Sequence, residues 1–289
     1  MTVADRYGMI LTTASAVAAE RYQEGMDRFL SYGWGAEESF ARAGEADDAF
    51  ALAHAGAALF AFFQGDGAAA RSAIATAERS VAGATRRERQ HVEALSAIIG
   101  GAGARGLALI EEHLSEFPRD ALLVNQASSA IGFSGAADRE ERRRAFVEGL
   151  APAYGDDWWF QSALAFTYHE VGRLDDSRRL SERSLAQYPG NANASHNIAH
   201  VDFEAADNDG GAAFLEDWLA GYDRRAPFHC HLAWHLALFE LQRGNERRTL
   251  QIYEADILRA TSPRHVVMDG AALLWRLDLY ECAGRPWPW

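Results

Sequence analysis

Apolar residues recur every three or four positions along almost the whole chain, a period that predicts amphipathic helices. No run of Val, Ile and Thr alternates with polar residues over strand length, so few strands are expected. Clusters of Gly, Pro, Asn and Asp punctuate the pattern at 64–67, 100–103, 118–120, 188–191, 207–210 and 243–245. Between them lie segments of about one to two dozen residues, an ordinary helix length. Helix pairs joined by short turns predict an all-α fold. The expected form is a right-handed α-solenoid, each pair burying its apolar face against the next. No linker interrupts the pattern. Residues 1–289 read as a single continuous superhelical domain, with degenerate repeats over 1–120 and clearer ones over 121–289.

One repeat can be followed residue by residue. From Trp158 the chain places Leu164, Ala165, Tyr168, Gly172, Ser177, Ser184 and Pro189 at the positions a tetratricopeptide unit needs. Leu236, Ala237, Gly244 and Tyr253 fall in the same frame. Residues 196–222 fit a degenerate middle repeat with a turn at 207–211, and 106–118 reads as one B helix. The longest apolar stretch, 49–63, is shorter than the roughly 18 residues of a membrane span and carries His54. It predicts a buried helix.

Composition narrows the function classes. Of 289 residues 48 % are hydrophobic, which suits a folded core. The formal net charge of −13 argues against a nucleic-acid partner and against an anionic membrane surface. Two cysteines, Cys230 and Cys282, make no disulfide framework, and the N-terminus shows no signal-peptide pattern. A reducing, cytoplasmic location is the expectation.

Chemistry concentrates in two His-x-x-x-His pairs, His196/His200 and His231/His235. Residues four apart share a helix face, so each pair aims two imidazoles the same way. In the repeat frame both pairs lie on A helices, which line the concave surface of such arrays, and the four rings are expected to converge with Asp269 nearby. Three readings stand: acid/base or ligand-binding histidines in a pocket, a divalent transition-metal site, or hydrogen-bonded structural histidines. No cofactor is required. The pattern is not a zinc-protease helix, because Asn197 stands where the glutamate belongs. Glu204, four beyond His200, is the nearest candidate acid. The catalytic candidates are therefore His196, His200, His231, His235 and Asp269, with the four histidines also the candidate metal ligands. His54, His91, Trp159, Tyr168, Trp234 and Arg276 are ligand-binding candidates, each set against a bland alternative. His54 and the aromatics read first as core, and Asp269 and Arg276, seven apart, first as a structural ion pair. Asp207-Asn208-Asp209-Gly210 starts like a calcium loop, but Trp218 occupies about its twelfth position, so it reads as a turn.

Several blocks resemble the tetratricopeptide repeat protein 38 family. They are Thr85-Arg86-Arg87-Glu88 with His91, His196 to His200 with Val201, Cys230-His231-Leu232-Ala233-Trp234-His235, the stretch 253–258, and Asp269 with Leu274-Trp275-Arg276-Leu277. The likeness runs from near the N-terminus to the last residue. It departs from the family where Asp202-Phe203-Glu204 replaces a His-Glu pair, and where the chain stops at Trp289 instead of continuing with more repeats. Trp287 and Trp289 are expected to cap the last helix. The resemblance implies a helical-repeat fold and a shared histidine site, without a settled activity.

A groove that grips a peptide carboxylate needs exposed Lys, Arg and Asn. This chain has no lysine, and its A helices offer histidines and tryptophans. The leading expectation is a His-lined concave pocket that binds a small molecule. The alternatives are an enzyme using the cluster for acid/base or metal-assisted chemistry, and a protein–protein interaction scaffold holding a peptide in the groove.

Overall fold

The computed structural model describes residues 3–261 and 263–280. The expected tryptophan cap, Trp287 and Trp289, and Cys282 lie outside the described residues. Among those described there are fifteen α-helices and one two-stranded antiparallel pair, Val3–Ala4 with Ile10–Leu11. The all-α helical-repeat fold predicted from periodicity is the fold observed.

The chain divides into two compact units. The first comprises the chain before Tyr32 together with Gly35–Phe160. It holds α1 (Ala16–Leu30), α2 (Ala36–Ala46), α3 (Ala51–Gln64), α4 (Gly67–Ser80), α5 (Arg86–Ile99), α6 (Gly103–Glu116), α7 (Ala121–Gly132) and α8 (Arg139–Tyr154). Consecutive helices pack as pairs, α1 on α2, α3 on α4, α5 on α6 and α7 on α8. The apolar stretch around His54 is α3, which buries Leu52, Ala55, Ala58 and Leu59. Helix α5 starts on a capping box: Thr85 accepts from the Glu88 amide while the Glu88 carboxylate accepts from the Thr85 amide.

The second unit comprises Tyr32–Trp34 and the chain from Gln161 onward. It contains most of α9 (Trp158–Glu170), then α10 (Leu174–Gln187), α11 (Ala192–Glu204), α12 (Asn208–Ala220), α13 (His229–Gln242), α14 (Glu246–Ile252) and α15 (Pro263–Leu279). Gly172, at φ +76°, reverses the chain between α9 and α10, a conformation glycine adopts without a Cβ penalty. Helix α11 begins at Asn191, whose side chain accepts from the Asn193 amide. The expected turn at 207–211 is shorter than its sequence suggests. Asp207 caps the next helix by accepting from the Gly210 amide, so Asn208 to Gly211 form the first turn of α12. A Cβ at Gly211 would overlap the Phe239 ring, and the glycine thus lets α12 lie close against α13. A π-helical turn, Tyr253–Ile257, follows α14 and packs on α13 and α15. No described helix is long and apolar enough to cross a membrane.

A candidate histidine centre

Helices α9, α11, α13 and α15 are successive A-position helices of the second unit. Asn197, fully buried on α11, donates through Nδ2 to the Ser162 carbonyl of α9 at 2.9 Å. Where a zinc protease would carry its glutamate, this chain ties two neighbouring helices together. The i,i+4 faces of α11 and α13 then present His196/His200 and His231/His235 to one another. One ligand atom from each of the four lies within 4.8 Å of all the others.

The contacts are close and between like atoms. His196 Nε2 lies 2.9 Å from His200 Nε2 and 3.1 Å from His231 Nε2. His231 Nδ1 donates to Asp269 Oδ1 of α15 at 3.1 Å, which leaves a lone pair on its Nε2 in the neutral ring. His196 Nε2 thus faces two nitrogens, with one of them already unprotonated. Neutral imidazoles can make a hydrogen bond of one of these contacts but not of both. Neither ring nitrogen of His235, and not Nδ1 of His196, finds a partner although all three atoms are buried. An unmet buried polar atom costs about 1–3 kcal/mol.

Burial, then the neighbouring imidazoles, hold His196 and His235 well below the ordinary histidine range. His200 is pushed down to about 3, again chiefly by burial. His196, His200 and His235 therefore stay neutral, the form that offers lone pairs. Cys230, beside His231 in sequence, is buried, and burial with the nearby Asp269 charge raises its thiol to about 12, so it is no nucleophile.

Other predicted residues divide between the two units. Trp234 stacks on His231, with ring centroids 5.4 Å apart at 18°, and the Arg276 guanidinium lies 5.6 Å above the Trp234 ring. Asp269 and Arg276 do not form the expected ion pair. Asp269 bonds His231, and Arg276 Nη1 donates to the Ala272 carbonyl within its own helix. Tyr168 packs under Arg173 at 3.8 Å, outside the imidazole group. Glu204, the last residue of α11, is exposed and stands outside it too.

The remaining three belong to the first unit. His54 bonds the Asp48 carbonyl at 2.9 Å. Trp159 is a core residue, edge-on to Tyr154 at 5.7 Å. His91, with no exposed surface, bonds Asp120 through Nδ1 at 3.0 Å, and Asp120 also accepts from His113 Nε2 at 3.1 Å and Arg87 Nη1 at 3.2 Å.

Two more histidines approach the centre unannounced by any pair pattern. His169 of α9 has its ring 4.7 Å from that of His200, its Nδ1 on Glu170 and its buried Nε2 without a partner. His265 of α15 lies 6.1 Å from His231, ring to ring. A single histidine has no i,i+4 signature. The repeat frame, which places Tyr168 and His169 near the end of an A helix, is the one signal that would have found His169.

A groove of about 550 Å³ runs on the other side of α11, lined by Arg178, Ile198, Asp202 and Phe214 among others. The rings themselves pack against one another, with His200 and His231 half-buried.

No protein-family model matches the chain. Solved structures with the same fold are tetratricopeptide-like. A tetratricopeptide repeat protein from Parabacteroides merdae superposes at TM-score 0.53 and 13 % identity, over 78 % of this chain and 84 % of that one. Human IFIT1, solved as a dimer with m7Gppp-AAAA, gives TM-score 0.64 at 15 % identity over 91 % of this chain and 65 % of IFIT1. Yeast Tom70 gives 0.51 at 10 % over 93 % and 66 %. This chain thus spans about two thirds of IFIT1 and of Tom70. The class that fold and likeness define is a tetratricopeptide-like helical-repeat protein.

Proposed function

We propose that this protein is a metal-binding helical-repeat protein. Its second unit holds one divalent transition ion through His196, His200, His231 and His235. The observation that carries the reading is the trio of mutually opposed Nε2 atoms at 2.9 and 3.1 Å, which protons alone do not satisfy. A cation at their centre would accept every lone pair at once. Neutral imidazole suits zinc, copper and nickel. The Asp269–His231 bond is the outer-shell carboxylate that fixes a ligating ring and raises its basicity. His169, with a buried unpartnered Nε2, stands ready as a further ligand.

In this reading His196, His200, His231 and His235 would hold the ion, the half-buried His200 and His231 would flank the way in for a small molecule, and the bound metal would supply Lewis-acid chemistry. The net charge of −13 weighs against transferring IFIT1's capped-RNA ligand to this chain. We read the chain as a member of the tetratricopeptide repeat protein 38 family, on the sequence blocks that carry that likeness.

The test is a competitive zinc titration against a chromophoric chelator, on the full chain and on His196→Ala/His231→Ala. The wild type should take one equivalent and the double variant none. Equal uptake by both, or none by either, overturns the proposal.

A further inference from the structure

The surroundings of His231 hold unfilled donors of one kind. Trp234 Nε1–H is buried and has no partner. Arg276 is half-buried and, among the described residues, pairs with no carboxylate; its one hydrogen bond goes to the Ala272 carbonyl. Side chains on a helix lean toward its N-terminus, and that bond shows the guanidinium doing so. It lies on the same helix as Asp269, seven residues or about 10 Å of rise further along. Arg276, Trp234 and His231 form a continuous stack, and Asp269 holds the far nitrogen of His231.

Charge points the same way. Four neutral imidazoles leave a divalent ion to be compensated by Asp269, which bonds His231, and by Glu170, whose charge reaches His200. Adding Arg276 makes the local sum positive inside an acidic protein. The missing element is a negative acceptor that takes hydrogen bonds from an indole and a guanidinium.

We infer that the ligand of this centre is a small oxyanion, a carboxylate or a phosphate ester, held by Arg276 and Trp234 while another of its oxygens reaches the ion. The inference rests on the metal reading above. A planar guanidinium matches both anions through two parallel N–H donors. Asp269 is committed to His231, so it does not compete for Arg276.

The experiment is isothermal titration of the cobalt(II)-loaded full chain with succinate, with glycerol phosphate and with neutral succinamide. One of the two anions should bind, at least about tenfold more tightly than succinamide, and whichever binds more tightly identifies the source of the oxyanion. Arg276→Gln should weaken that anion about tenfold or more without changing cobalt content. Trp234→Phe, which keeps the stack and loses the N–H, should weaken it severalfold. Equal binding of succinate and succinamide, no anion binding, or unchanged affinity in Arg276→Gln overturns the inference. If the chain takes up no cobalt, the metal reading falls. Succinate titrated into the metal-free protein then decides separately: Arg276-dependent heat keeps the anion site, and silence removes it.

Discussion

In the first unit a carboxylate occupies the middle and hydrogen-bond donors gather round it; in the second, imidazoles occupy the middle and the carboxylate lies at the edge. Asp120 accepts from His91, His113 and Arg87, and the burial that would raise its pKa is outweighed by those partners, so it is held well below the usual carboxylate range. Every contact there joins a donor to an acceptor. Around His196 the closest contacts join nitrogen to nitrogen, and burial lowers the basicity of the rings. The same residue types thus build two different objects. An anion ringed by donors has its charge met where it stands and ties α5 and α6 to the start of α7, although the buried His91 Nε2 and Arg87 Nε stay without partners. Lone pairs ringed by lone pairs call for a cation. The position of the carboxylate, more than the number of histidines, distinguishes a structural knot from a site.

The largest effect should come from breaking the first group. Asp120→Ala leaves a guanidinium and two imidazoles buried without their acceptor, and should cost about 3–5 kcal/mol in chemical denaturation. A loss below 1 kcal/mol would place the stabilisation elsewhere. The second group should respond to metal instead. At free zinc about a hundred times Kd, the wild type should gain about 2.7 kcal/mol, while His196→Ala/His231→Ala gains nothing. Zinc that stabilises both alike acts at another place.

Asp269→Asn should weaken zinc about 10- to 100-fold while leaving the metal-free stability close to wild type. An unchanged affinity would make Asp269 a packing residue. The pH dependence separates the two groups further. The folded pKa of Asp120 is depressed, so its contribution is present in full above the ordinary value of 3.8 and is lost as pH falls through the folded value. The denaturant midpoint should therefore drop steeply below about pH 4 in the wild type and less steeply in Asp120→Asn. Parallel curves would contradict the assignment. The smallest effect is a control: Glu204→Gln should leave zinc affinity unchanged, because that side chain is exposed and outside the group.

Much of this was legible in the sequence, and the rest fails for identifiable reasons. Helical period and turn residues located the repeats, since stacking rewards the same spacing again and again. The i,i+4 pairs marked His196, His200, His231 and His235, and the repeat frame put them on neighbouring helices. His169 was missed because one histidine per helix leaves no periodic trace. The Asp269–Arg276 pairing was expected from a seven-residue spacing on one face. The structure gives Asp269 to His231 because a ring nitrogen from the adjacent helix reaches it first. Asn197 looked like a missing catalytic glutamate, whereas its amide fastens α11 to α9. Spacing shows which way side chains point, and not how closely facing rings approach.

The central claim is that the four imidazoles share one ion. X-ray absorption on the zinc-loaded full chain, paired with elemental analysis, tests it most directly. The account predicts one zinc per chain with at least four nitrogen neighbours at about 2.0–2.1 Å, showing imidazole scattering that disappears with the metal in His196→Ala/His231→Ala. Zinc held by oxygen or sulfur, or retained by the double variant, would contradict it.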